Sequence, residues 1–160
     1  MLHAALLVPH IAAGTIGLAA GLAAGLVPKR AGWHTLIGWT YQICCAVLCL
    51  SALGLVVLDP GLWAFAVIAL GTETGALGSV LVRRRRRPGW RALHANLVLS
   101  SYVSFVTALV VQTVGGWAWV VPVAVGSAVI SLVVGRLTAE ERRRPTGRPA
   151  QPPQPAPRAA

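Results

Sequence analysis

Two histidines of the chain could hold a haem iron between them. His34 stands at the start of a long apolar run, with Gly38 one helical turn later, and His94 stands at the start of another run. Histidine is a haem-iron ligand, and helix bundles build cofactor sites from side chains on facing helices. A glycine on the histidine face makes room for the flat macrocycle. The pattern predicts one bis-histidine haem b site, formed by His34 and His94 and lined by Gly38.

A simpler interpretation of the same two histidines stays open. Both stand where an apolar run meets a polar turn, and amphipathic side chains favour the boundary between membrane and water. His34 and His94 would then cap helix starts and hydrogen-bond each other or lipid headgroups. His10 cannot join them as a ligand, because a helical rise of 1.5 Å per residue puts it on the order of 20 Å away.

Proton transfer is a second chemistry that the titratable residues allow. Glu73 is the only acidic residue inside a long apolar run, and a carboxylate at that depth must be protonated or paired. His10 lies inside the first run, and Tyr41 shares a helical face with His34. Membrane pumps relay protons along such chains of acidic and histidine side chains. His10, Tyr41 and Glu73 are therefore candidate proton sites of a proton-coupled carrier or sensor.

The remaining reactive side chains carry weaker signals. Cys44, Cys45 and Cys49 lie in the middle of the second run, where thiols act as small packing residues, and their spacing does not resemble a zinc motif. We expect no metal ligands apart from those of a haem iron. The sequence also contains no nucleophile–base set, no phosphate-binding loop and no metal-hydrolase spacing, which argues against an enzyme.

The elements that must position these residues are predicted to be five transmembrane helices. Hydrophobic residues make up 56% of the 160 residues and charged residues only 11%, which is too apolar for an ordinary soluble domain. A helix needs about 20 apolar residues to cross a bilayer. Five segments meet this requirement, at residues 4–27, 35–58, 62–82, 92–114 and 117–137. The sequence predicts an all-α integral membrane bundle over residues 1–137, in which short turns join antiparallel neighbours.

Small and polar stripes predict how these helices pack. A groove on the first helix is formed by residues at helical spacing, namely His10, Gly14, Gly17, Gly21 and Gly25. Such a groove lets a neighbouring helix or a flat ligand approach closely. The fourth helix carries a polar stripe of Asn96, Ser100, Ser104 and Thr107. We expect this stripe to face the bundle, where polar groups find partners.

The distribution of positive charge predicts an orientation. The formal net charge is +10, but the basic residues cluster between apolar runs, where they would meet anionic headgroups and not nucleic acid. All 14 Lys and Arg fall in the first and third connections and in the region from Arg136 onward. The positive-inside rule then places the N-terminus outside and the C-terminus in the cytoplasm of a multi-pass plasma-membrane protein. Residues 138–160 are basic and Pro-rich, which predicts a disordered cytoplasmic tail.

The order of these motifs resembles an uncharacterised bacterial family of small multi-helix membrane proteins, the domain of unknown function 2306. The resemblance rests on the segments PHIAAGTIGLAAGLAAG, GWHTLIGWTY, WRALHANLVLSSYVSFVTALVV and WVVPVAVGSAVI, in that order. The histidines of the family match His10, His34 and His94, and the resemblance covers about residues 4–137. It implies the membrane class, and it implies no activity because the family has none established.

A third hypothesis requires no chemistry. The glycine faces and an unpartnered Glu73 could pack against a larger membrane complex, which would make the chain a non-catalytic accessory subunit. A carrier of this size would need a homodimer, because five short spans without an inverted repeat leave little room for an alternating-access core. The sequence therefore leaves three functions open: haem-based electron transfer, proton coupling and an accessory role.

Overall fold

The computed structural model describes residues 1–29 and 32–143, and five long helices account for most of them. In chain order these are α1 (Leu2–Leu26), α2 (Trp33–Leu58), α3 (Trp63–Arg85), α4 (Trp90–Val114) and α5 (Val120–Arg143). Single 3₁₀ turns, Pro60–Leu62 and Gly116–Trp119, lead into α3 and α5. All five helices are long and apolar enough to cross a membrane. The all-helical architecture is thereby confirmed over the described residues, and so are the five long apolar helices.

The helix ends differ from the predicted ends mainly in α5. This helix continues to Arg143, so residues 138–143, which we had predicted to belong to a disordered tail, are helical. The physical reason is that Ala, Glu and Arg, which make up five of these six residues, are good helix formers even where the sequence is no longer apolar. Residues 144–160, the rest of the predicted tail, lie outside the described residues.

The first four helices form an up-down bundle. Helix α2 packs against α1 and α3, whereas α4 packs against α3 and touches α1. Because the neighbours follow one another around the bundle, α2 and α4 lie diagonally opposite across its centre. Helix α5 packs on the outside, against α4. Side chains of α2 and α4 therefore meet only where they are long enough to reach across the centre.

The centre of the bundle is lined by small, thiol and aromatic side chains, while most large aliphatic side chains point outward. The buried core consists of Ala20, Tyr41, Cys45, Cys49, Ala52, Ala69, Ala76 and Phe105. Leucines and valines on the outer faces are well exposed, for example Leu50 at 70% and Val57 at 81%. Such an apolar exterior is unfavourable in water and suits hydrocarbon, so the distribution agrees with a bundle embedded in lipid.

The glycine groove of α1 is occupied by neighbouring side chains. A Cβ placed on Gly17 would lie 3.0 Å from the ring of Phe105 and 3.1 Å from Cys44, and one on Gly21 would lie 2.5 Å from the ring of Tyr102. The glycines thus let side chains of α2 and α4 pack directly on the α1 backbone. The groove therefore allows the close approach of neighbouring helices, which is the first of its two predicted uses; the other was the approach of a flat ligand.

Most of the polar stripe of α4 does not face the bundle as predicted, since Thr107 is the only one of its four residues that is buried. Ser100 is exposed, and the Ser104 hydroxyl donates to the carbonyl of Ser100 on its own helix. The neighbouring stripe turns inward instead, with Ser101 and Phe105 buried. The reason is that a serine hydroxyl can satisfy itself on the carbonyl one turn earlier, so a polar stripe need not seek partners on another helix.

Candidate functional site

The inward face of α2 provides most of the side chains of the candidate site. Tyr41, Cys45 and Cys49 follow one another at intervals of one helical turn, so they line a single face, and all three are buried. The Tyr41 hydroxyl lies 2.6 Å from the hydroxyl of Ser101 on α4 and is hydrogen-bonded to it. The Tyr41 ring also packs 6.3 Å from the ring of Phe105, between centroids. Tyr41 is thus long enough to bridge the two diagonal helices.

Glu73 enters the same centre from α3. Gln42 of α2 donates a hydrogen bond from its Nε2 to Oε1 of Glu73, at 3.3 Å. The second carboxyl oxygen, Oε2, is buried and has no hydrogen-bond partner among the residues that the structure describes. Glu73 therefore points between α2 and α3. It does not offer its carboxyl group to an outside subunit, so this support for an accessory role is lost.

The thiols of α2 meet this carboxyl group. The sulfur atoms of Cys45 and Cys49 and a carboxyl oxygen of Glu73 all lie within 4.8 Å of one another. Both cysteines are free thiols. The cysteines alone predict only a packing role, because the third member of the cluster comes from another helix. The detectable signal was the four-residue spacing of two cysteines on the Tyr41 face, together with a lone acidic residue in the next span.

The His10 side chain is held at the interface of α1 and α2. Its Nδ1 atom lies 3.0 Å from the hydroxyl oxygen of Ser51, which stands two residues after Cys49. The Ser51 hydroxyl is also within 2.8 Å of the carbonyl of Val47 on its own helix. When that hydroxyl donates to the carbonyl, its oxygen accepts from the imidazole N–H. His10 is therefore coupled to α2 but lies apart from His34 and His94.

The other two histidines lie at the opposite end of the bundle, where α2 and α4 both begin. His94 Nδ1 lies 2.9 Å from the carbonyl oxygen of Ser79 on α3, and only a protonated Nδ1 can donate to it. This bond leaves Nε2 as the free acceptor. His34 has a buried Nδ1 with no partner among the described residues. A Cβ added to Gly38 would meet nothing within 4 Å, so there is open space beside the His34 turn.

Two open grooves lie elsewhere on the surface. One runs between α1 and α2 and is lined largely by alanine, isoleucine and threonine side chains, and the other runs between α4 and α5 past Asn96. Neither groove is lined by His34, Gly38 or His94. The candidate chemistry therefore sits inside the bundle and not in these surface grooves.

The helix lengths and their composition are those of a polytopic helical membrane protein, and five helices are long and apolar enough to cross a bilayer. A scan against protein-family models, a search of curated proteins and a search of solved structures found no match.

Proposed function

We propose that the protein handles protons within the membrane, as a carrier or a sensor, and that Glu73, Tyr41 and His10 are its proton sites. One observation carries the proposal: each of these residues has a polar partner across a helix interface, and every such pair includes a residue of α2. The pairs are Gln42 with Glu73 at 3.3 Å, Tyr41 with Ser101 at 2.6 Å, and Ser51 with His10 at 3.0 Å.

The spacing of these groups suits proton movement. Hydroxyl, imidazole and protonated carboxyl groups can each donate and accept a hydrogen bond, which a relay requires. From Tyr41 to Ser51 the helix rises about 15 Å, which is roughly half the thickness of the hydrocarbon core. Glu73 lies beside the middle of this stretch, and its unpartnered Oε2 is free to receive or release a proton. An ionisable residue inside a membrane helix is costly, which favours a functional role for it.

The orientation belongs to the same proposal. Arg83, Arg84 and Arg85 end α3 at the end of the bundle where α1 also ends and is followed by Lys29, and these basic residues would face the cytoplasm and its anionic headgroups. His10 would then lie in the outer half of a plasma membrane. We further propose membership of the family that the motifs resemble, which His10, His34 and His94 support.

Proton flux into vesicles tests the carrier form of the proposal. The full-length protein is reconstituted into liposomes that contain a pH-sensitive dye, and a potassium diffusion potential drives proton entry. We expect wild-type flux above that of empty vesicles and loss of that flux in Glu73→Gln. Glu140→Gln is the matched control, because Glu140 is exposed on α5 and should leave the flux unchanged.

Infrared difference spectra test the sensor form, which predicts no net flux. A carboxyl band that titrates in the wild type and is missing in Glu73→Gln would support a sensing role. If the variant matches the wild type in both flux and titrating bands, the proton proposal is wrong.

A b-type haem electron carrier is the second candidate function, and the surroundings of His34 and His94 favour it. The hydrogen bond from His94 Nδ1 to Ser79 orients the ring and leaves Nε2 available, as is usual for metal-bound histidine. His34 contributes a buried ring nitrogen without a partner, and the space at Gly38 lies on the same side of α2. Bound haem would supply one-electron transfer, and His34 and His94 would hold its iron.

The visible spectrum of protein made with haem available tests this candidate. His34→Ala and His94→Ala should each remove the haem absorbance, whereas His10→Ala should retain it. Wild-type protein without haem absorbance rejects the haem candidate and leaves the two histidines as interfacial residues. If the protein shows no proton flux, no titrating carboxyl band and no haem absorbance, the remaining proposal is the accessory role, in a homodimer or a larger membrane complex.

A further inference from the structure

We propose that Cys45, Cys49 and Glu73 form an intramembrane binding site for a divalent cation of the Zn²⁺ class. The two sulfur atoms and one carboxyl oxygen lie within 4.8 Å of one another. Two soft sulfur ligands and one oxygen ligand are a donor set that Zn²⁺ accepts. This site goes beyond proton handling, because it binds its ion whether or not protons cross the membrane.

The geometry requires little movement to reach a metal-bound arrangement. Tetrahedral coordination with Zn–S near 2.3 Å and Zn–O near 2.1 Å separates two sulfur atoms by about 3.8 Å and a sulfur from the oxygen by about 3.6 Å. The observed limit of 4.8 Å exceeds these separations by little more than about 1 Å. Rotation of side chains that already face one another can close this gap, and the helices need not separate.

The surroundings of the cluster support a ligand at this position. Cys45 is fully buried, Cys49 is 3% exposed, and neither is in a disulfide. Oε2 of Glu73 is buried without a partner among the described residues, whereas Oε1 is held by Gln42. A metal ligand oriented by a neighbouring hydrogen bond is the usual arrangement around bound metals. A cation bound through Oε2 would satisfy a carboxyl oxygen that has no partner among the described residues.

The mixed donor set also selects among cations. Two thiolates alone suit a soft ion such as Cu⁺, whereas Mg²⁺ and Ca²⁺ prefer oxygen ligands only. The two sulfur ligands therefore disfavour Mg²⁺ and Ca²⁺, the carboxyl oxygen of Glu73 disfavours Cu⁺, and the mixed set favours Zn²⁺. Each thiol gives up its proton to solvent when its sulfur binds the ion, and so does the carboxyl group where it is protonated. Three protein ligands leave the fourth tetrahedral position open, as in zinc sites that exchange a ligand.

Cobalt binding to the purified full-length chain tests the site. Reduced, metal-free protein in detergent micelles is titrated with Co²⁺ without oxygen, and thiolate-to-cobalt absorption reports sulfur ligation. Zn²⁺ is then added to displace the cobalt. We expect one equivalent in the wild type. Loss of an outer hydrogen-bonding partner costs about 10–100-fold in metal affinity, so loss of a direct ligand in Cys45→Ser, Cys49→Ser or Glu73→Gln should cost about 100-fold or more.

Cys44→Ser provides the matched control. Cys44 is buried on the same helix, but its Cβ faces α1, 3.1 Å from the position that a Cβ on Gly17 would take. This variant should bind cobalt like the wild type. Glu73→Gln keeps the size of the side chain, so it remains informative if a serine variant fails to fold, which circular dichroism would reveal.

Three results would overturn the metal site. They are wild-type protein that binds no equivalent of cobalt, a Cys44→Ser variant that loses as much affinity as Cys45→Ser, and a Glu73→Gln variant with unchanged affinity. The proton proposal is tested separately. Cys49→Ser removes a metal ligand but none of the proposed proton sites, so the metal-free variant can still be assayed for proton flux.

Discussion

Replacing Gly21 by alanine should destabilise the bundle, whereas the same replacement at Gly25, one turn later, should not. A Cβ at Gly21 would lie 2.5 Å from two ring carbons of Tyr102, and ordinary contact begins at 3.4 Å, so the ring must move by close to 0.9 Å. The Tyr102 hydroxyl donates to the carbonyl of Leu18 at 3.2 Å, a bond already long enough to break on such a shift. Overpacking costs about 1–3 kcal/mol, and a hydrogen bond within a membrane contributes about 0.6 kcal/mol.

The free energy of unfolding should therefore be roughly 1.6–3.6 kcal/mol lower in Gly21→Ala than in Gly25→Ala. The assay is unfolding by sodium dodecyl sulfate added to non-ionic micelles, followed by circular dichroism. Gly25→Ala is the control, because a Cβ there meets nothing within 4 Å and both changes raise helix propensity equally. Equal unfolding midpoints for the two variants would show that the close packing of Tyr102 on α1 is not what stabilises this interface.

Three further predictions concern the topology and the buried polar centre. Reporter fusions after Asp59 and after Arg87 should report opposite sides, external and cytoplasmic, and two reporters on one side would contradict the proposed orientation. The double-mutant cycle of Tyr41→Phe and Ser101→Ala should give a coupling energy of about 0.6–1.7 kcal/mol in the same unfolding assay, and additive effects would mean that the buried hydroxyl pair contributes nothing. Glu73→Gln should insert and fold like the wild type, whereas Glu73→Lys should reduce the yield of folded protein, because a fixed charge would replace a group that can be neutral. Equal yields of the two variants would show that position 73 tolerates a charge.

Five helices could be predicted from the sequence because lipid leaves the backbone few alternatives. A span must satisfy its own N–H and C=O groups, so a run of about 20 apolar residues between Gly- and Pro-rich turns has essentially one solution. The glycine stripe of α1 was predictable for a related reason, since small residues at helical spacing are where another helix can approach. The end of α5 was not, because residues 138–143 remain helical without being apolar.

The rotation of each helix was decided only by the tertiary structure. In a membrane helix the inner and outer faces are both apolar, so hydropathy does not tell which face turns inward, and Ser101 is buried where Ser100 had been expected to turn inward. The cluster of Cys45, Cys49 and Glu73 depends in the same way on how α2 and α3 face each other. The sequence by itself determined which residues lie within the spans. Which of them meet was decided by side-chain packing between helices, because lipid provides no hydrophobic force that would orient one apolar face over another.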